Sequence, residues 1–343
     1  MISHFIFSPT TGDFTMTFFI LTLFQTGYKL RTSTLYHLLV GKRTSSVLLH
    51  GFFFKNLAYL SSLPNLKEDT FQKELQRLVN DQLIAVEDGF GELTTKGKEL
   101  LEEDSFDLSG LNNLRFGRMR EDSWQMILFA VQVVSYLSFG EKNYLPIENR
   151  PYSLQQVKKW LAQAESDLVV RFQHELTTIL QRLPDETADF LANQFSGLGF
   201  QGKTTFQLLP EKWQKEPWNI LYRQNAIDLF LAQVEGEQLS ELLFALDQQN
   251  INQSMLKTKE FFLSGKTVSE IMNLRHLKQG TINDHFIEWA LMDKTFPFTR
   301  FDPIDFDDLD ENQVVNAHYQ DHETPYLNFR LSQIYYLRKK QWN

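Results

Sequence analysis

The sequence predicts a mainly α protein: an N-terminal winged-helix-like domain, a central helical region and a C-terminal helix-turn-helix domain. Three observations carry this expectation. Apolar residues recur at helical spacing through most of the 343 residues. A single strong hairpin signal, Asp88-Gly89, interrupts them early. Finally, Thr267–Trp289 reads as two short capped helices joined by a tight turn. Domains are expected over 1–104, 105–236 and 237–343, the last with a closing helix.

In chain order, Phe14–Thr26 and Ser33–Val40 have helical patterns, and Thr44–Leu60 continues with a dense apolar face. Met16–Phe24 is the most apolar N-terminal run. It is about half the length that spans a bilayer and lacks a basic leader or small-residue cleavage site, so a buried helix is expected rather than a signal peptide. Leu66–Leu83 places Phe71, Leu75, Leu78 and Val79 on one side and Lys67, Lys73, Gln76 and Arg77 toward solvent. Ile84–Glu87 then reads as a strand, Asp88-Gly89 as its turn, and the return strand reaches Thr94, where Thr95 caps a helix over Lys96–Glu103.

Helix, hairpin and helix in that order make the layout of a winged helix, whose long helix enters a groove while the hairpin touches the backbone. Lys67, Lys73 and Arg77 are therefore candidate DNA contacts. A small α+β domain for protein contact fits the same pattern.

After a polar boundary at Asp104–Gly110, Trp124–Phe139 forms a nearly continuous apolar run, expected as a central buried helix. Leu154, Val157, Leu161, Ala164, Leu168, Phe172, Leu176, Ile179 and Leu183 keep one helical period up to Pro184 and predict a single long helix, for a bundle core or a dimer seam. A further helix covers Trp218–Val234.

The C-terminal region holds the sharpest signal. Met255–Leu263 is a short helix closed by Gly265. Thr267 and Glu270 form a capping box, and Thr281 with Asp284 is expected to start the second helix in the same way. Ile271, Leu274 and Leu277 should face inward, as should Ile282, Phe286 and Trp289 at their i, i+4, i+7 spacing. Donors able to reach phosphates or base edges are Lys266, Lys278, Gln279, Thr281, Asn283 and His285. Asp284 and Glu288 are expected on or near the same face, where phosphate repels them. A helical hairpin used for protein contact is the competing reading.

Phe296–Asn312 carries Asp302, Asp305, Asp307, Asp308 and Asp310 without the central Gly of a calcium loop, so it reads as a solvated acidic turn. Tyr326–Arg338 is the closing helix.

Composition sets further bounds. With 42% hydrophobic residues, 30 Phe and 6 Trp, the chain can bury sizeable cores. Cysteine is absent, which excludes disulfides and thiolate zinc sites and fits a cytoplasmic location. The net charge of −9 is uneven: residues 1–60 carry a local balance of +4 and residues 301–343 one of −4.

Gly197–Thr204 matches the phosphate-loop pattern GxxxxGK(S/T) letter for letter. That chemistry needs a buried strand before the loop and a helix after it, so that amides converge on phosphate. Here the preceding residues are helical and polar, and Pro210 cuts short the segment after the loop, so nucleotide binding is not expected. The eight histidines include no HExxH and the serines no GxSxG elbow. The expectation is a protein that is not an enzyme and holds no cofactor or metal.

The segment YHLLVGKRTSSVLLHGFFF (Tyr36–Phe54), the winged-helix-like region and the helix-turn-helix near 254–292 together resemble the YpbB family of bacterial proteins. The C-terminal part is similar to the helix-turn-helix module appended to RecQ-type helicases, and TVSEI with TINDH resembles response-regulator helix-turn-helix domains. The resemblance implies a non-catalytic accessory DNA-binding or adaptor protein that acts with a RecQ-type DNA helicase in DNA repair or recombination. Its partners would be the helicase and DNA, with no membrane, and residues around Lys278–His285 would engage one or the other. The alternative is a winged-helix and helix-turn-helix transcription regulator, in which a dimer would read two half-sites.

Overall fold

The structure is a computed structural model that describes residues 15–103 and 107–342. The helix start expected at Phe14 and the first residues of the boundary at 104 lie outside them. The chain begins with α1 (Met16–Thr22), β1 (Leu30–Arg31), α2 (Thr32–Leu39), α3 (Ser45–Phe53) and α4 (Glu68–Asn80). Next come the hairpin β2 (Ile84–Glu87) and β3 (Phe90–Leu93), then α5 (Thr95–Glu103). The middle is helical: α6 (Asn113–Phe116), α7 (Arg120–Ser138), α8 (Pro151–Gln163), α9 (Leu168–Gln181), α10 (Asp185–Ala192), α11 (Thr205–Leu208), α12 (Trp218–Ala232) and α13 (Glu237–Asn250). The C-terminal region contains α14 (Gln253–Leu263), α15 (Val268–Arg275), α16 (Gln279–Met292), α17 (Glu311–Asn316) and α18 (Tyr326–Trp342).

The molecule is mainly helical, and its N-terminal element order is that of a winged helix. The sheet runs β1-β3-β2, all antiparallel, with Leu30 opposite Gly91 and Ile84 opposite Leu93. Asp88 and Gly89 both take positive φ (50° and 79°), the turn that matches the right-handed twist of a two-residue hairpin. Strand β1, too short to leave a periodic signal, is not evident from sequence. On β3, a Cβ at Gly91 would stand 2.7 Å from the Phe24 ring, so only glycine allows that close approach.

Packing groups the chain into two compact units that cut across the three consecutive stretches expected from sequence. Of the described residues, one unit holds 15–22, 74–83, 95–103 and 107–250; the other holds 23–73, 84–94 and 251–342.

In the first unit α7 and α12 supply the deepest side chains. Trp124, Ile127, Trp218, Leu221 and Phe230 are fully buried, and Trp124 meets Phe230 edge-on at 5.5 Å. The long helix expected over Leu154–Leu183 is instead two, α8 and α9, because Ala164 turns extended at ψ 146°. Polar, exposed Glu165, Ser166 and Asp167 form the break. An unbroken helix of that span would be about 45 Å long, whereas the bent chain lays both halves on α7 and α13. Helix α13 was legible after all, since Leu239, Leu242, Leu243 and Leu246 repeat at i, i+3, i+4, i+7 and are all buried.

The phosphate-loop letters lie between α10 and the four-residue α11, with no strand before them. Their amides are already engaged: Leu198 N–H donates to Ser135 Oγ (3.1 Å), Gly202 N–H to Ser196 Oγ (2.9 Å) and Lys203 N–H to the Asn193 carbonyl (2.8 Å). Such a loop has no cradle of outward donors for phosphate.

The second unit is organised around α16, against which α3, α14, α15 and α18 pack. Phe262, Phe286, Trp289, Phe296 and Phe301 form one aromatic cluster, with Phe262 stacked on Phe301 at 5.0 Å. On α3, neither ring nitrogen of His50 has a hydrogen-bond partner, and burial brings its pKa down to about 4. The folded state thus favours the neutral ring, while the unfolded chain binds a proton from about pH 6.5. Stability from this group is complete above that pH and falls as pH drops from about 6.5 to about 4. In denaturant unfolding at pH 7 and pH 5, the wild type should lose about 2 kcal/mol more than His50→Leu. Equal losses would contradict this.

Candidate nucleic-acid interface

The helix-turn-helix is built locally. The Asn252 side chain accepts from the amides of Ser254 and Met255 and so starts α14. Gly265, at φ 93°, ends it, with its N–H on the Phe262 carbonyl and the Lys266 N–H on the Phe261 carbonyl. Thr267 and Glu270 form the expected capping box: Thr267 Oγ1 accepts from Glu270 N–H (3.2 Å), and Thr267 N–H donates to Glu270 Oε2 (2.8 Å). Helix α15 stops at His276, a non-glycine residue in the left-handed region (φ 52°), and Leu277 N–H returns to the Met272 carbonyl. Lys278 is then extended and precedes α16.

The start of α16 differs from expectation. Lys278, rather than Thr281, occupies the cap position, and no side chain caps it. The first-turn amides of α16 therefore have no intrahelical or side-chain acceptor and present partial positive charge. A Cβ at Gly280 would meet nothing within 4 Å, so the backbone there is open to approach. Lys278, Gln279 and Thr281 are exposed at this end of α16, and Lys266 is exposed just before α15, 3.9 Å from Glu270.

Two expected contacts are corrected. Asn283 and His285 are 9% and 5% exposed and turn into the unit. Thr258 Oγ1 meets His285 Nδ1 at 2.9 Å and also accepts from Arg275, which donates to the Ser254 carbonyl (2.6 Å) as well. His285 is thus a core residue tying α14, α15 and α16 together, its pKa lowered by burial and then by Arg275. The pattern Ile282, Phe286, Trp289 pointed to one buried stripe, yet Ile287, Ala290 and Leu291 are buried too. A helix apolar on every side is enclosed by its neighbours, and that signal was present in the sequence.

Glu288, expected near the exposed face, is also buried. It accepts from Arg43 Nε (2.8 Å) and Nη2 (2.7 Å) and from Asn252 Nδ2 (2.9 Å), so its charge is neutralised internally. Arg43 is 245 residues away in sequence, beyond the reach of any local pattern. Leu274, expected inward, is 54% exposed. Of the two acids left near the candidate face, Glu270 is held by Thr267, whose hydrogen bonds lower its pKa, and Asp284 is exposed.

In the winged-helix region Lys67, Lys73 and Arg77 are exposed, the first two in the second unit and Arg77 in the first, where it donates to Glu74. In the acidic stretch, Asp310 caps α17 through the Gln313 amide at 2.8 Å, and Lys339 lies 3.5 Å from Asp307. Among the described residues, no helix is long and apolar enough to cross a membrane.

Residues 254–335 match a family described as helix-turn-helix domain, which includes α14, α15 and α16. Over an alignment of 275 positions the chain is 22% identical to Protein YpbB of Bacillus subtilis (strain 168), with 77% of this chain and 78% of that protein covered. No solved structure matches the chain. The chain thus carries a C-terminal helix-turn-helix domain, a module that suggests DNA binding, and is similar over most of its length to a YpbB protein.

Proposed function

We propose that the protein is a non-catalytic, DNA-binding adaptor of the cytoplasm that acts with a RecQ-type helicase in DNA repair or recombination. The observation that carries the DNA part is the uncapped N-terminus of α16, exposed with Lys266, Lys278, Gln279 and Thr281 in a helix-turn-helix. Amides, a helix dipole and two lysines suit phosphate oxygens, which position a protein without reading sequence. Burial of Asn283 removes the side chain best suited to an adenine edge, which favours an adaptor over an operator-reading regulator.

The helicase partnership rests on the resemblance of Tyr36–Phe54 and the two helix-turn-helix-like regions to the YpbB family, and on that reading catalysis belongs to the partner. Two arms test the proposal. Duplex DNA titrated into the full chain should show salt-dependent binding that Lys278→Ala weakens. Immobilised chain should enrich a RecQ-type helicase from the same genome at low salt, and its absence from the bound fraction would refute the partnership.

A further inference from the structure

The carboxy end of α16 borders a second feature of opposite design. A groove of 320 Å³ in the second unit is lined by Lys294, Phe298, Thr299, Tyr335, Arg338 and Lys339, together with Phe296 and Pro297. No acidic side chain is among its lining residues. Tyr335 is 40% exposed, and its ring packs on Phe298 at 5.2 Å. Lys294 is exposed, and no ion pair engages it among the described residues. Lys339 is exposed and forms a long surface ion pair with exposed Asp307 at 3.5 Å, a weak, solvent-screened contact that a phosphate can replace. Arg338 donates to the carbonyls of Leu291 (2.9 Å) and Asp293 (3.2 Å), which caps the end of α16 and fixes a guanidinium under the groove.

We propose that this groove is a subsite for single-stranded nucleic acid, in which an unpaired base stacks on Tyr335 and the flanking phosphates meet Lys294 and Lys339. Aromatic faces interleaved with cations are the combination by which single strands are held without sequence preference. A base inside a duplex has both faces covered by its neighbours, so only an unpaired one reaches the Tyr335 ring. The volume suits about one nucleotide, at the lower end of ligand pockets. Helix α16 has 14 residues, so this groove lies about 20 Å from Lys278 and is a separate contact. The subsite deepens the proposed DNA adaptor role and rests on it, but its measurement is independent of the duplex face.

Fluorescence anisotropy of the full chain with labelled oligo(dT), a labelled blunt hairpin duplex closed by a non-nucleotide linker, and unlabelled dTMP as competitor tests the proposal. Tyr335→Ala is expected to weaken oligo(dT) binding roughly 5- to 150-fold, with Tyr335→Phe close to wild type. Lys294→Glu, a surface change that leaves the ring packing intact, should also weaken it several-fold and flatten its salt dependence. Hairpin affinity should be unchanged in both. Wild-type protein that does not bind oligo(dT), or Lys294→Glu and Tyr335→Ala that bind it normally, overturns the proposal. So does dTMP that binds as tightly as the oligonucleotide, which would make the groove a free-nucleotide site. Loss of hairpin binding on Lys278→Ala with oligo(dT) binding intact separates the two faces.

Discussion

Asp228→Ala is expected to destabilise the first unit by about 3–5 kcal/mol, a large share of the stability of an ordinary domain. The Arg120 and Asp228 side chains are 3% and 0% exposed. The guanidinium engages the carboxylate through Nε and Nη2, Arg120 also reaches Asn113 Oδ1, and the Asn112 amide donates to Asp228 Oδ2 at 2.8 Å. Burial pushes the Asp228 carboxyl pKa up while Arg120 and Asn112 pull it down, so its charged form depends on these partners. Removing one partner strands a buried charge, which is the costly event, whereas replacing both by apolar residues of similar volume is near neutral. Arg120→Met with Asp228→Leu should therefore recover most of the loss. Denaturant midpoints of the single and double variants check this, and a single variant within about 0.5 kcal/mol of wild type would contradict it.

Glu288→Ala should cost a similar amount, about 3–5 kcal/mol, in the second unit. Glu288 is 8% and Arg43 14% exposed, and the carboxylate holds three hydrogen bonds that join the α2–α3 connection, the start of α14 and the middle of α16. Its loss leaves Arg43 unpaired and Asn252 with an unsatisfied donor, and loosens the helix whose first turn faces outward. Glu288→Ala is thus expected to lower both the unfolding midpoint and duplex affinity, while Lys278→Ala lowers affinity alone. A stable Glu288→Ala protein with wild-type DNA binding would be the opposing result.

The elements were legible wherever they advertise themselves locally. Asp88-Gly89 marked the hairpin, Thr267 and Glu270 marked the start of α15, and Gly265 marked the end of α14. Tertiary partners were not legible. Nothing near Glu288 in sequence announces Arg43, so a charge expected near the exposed face proved to be internal, and nothing near Asp228 announces Arg120. The break between α8 and α9 was hidden because apolar spacing persists across a bend. At the candidate interface, Lys278, Gln279 and Thr281 lie on the surface, but Asn283 and His285 were assigned outward from one stripe when α16 is enclosed on nearly all sides.

The salt dependence of duplex DNA binding by the full chain and its Lys278→Ala variant tests most directly whether the first turn of α16 is the DNA contact. If the first turn of α16 holds phosphate, the variant binds more weakly at low salt, and the slope of log K against log salt concentration falls by about one. Identical affinities and slopes for the two proteins would place the DNA contact elsewhere and contradict the account.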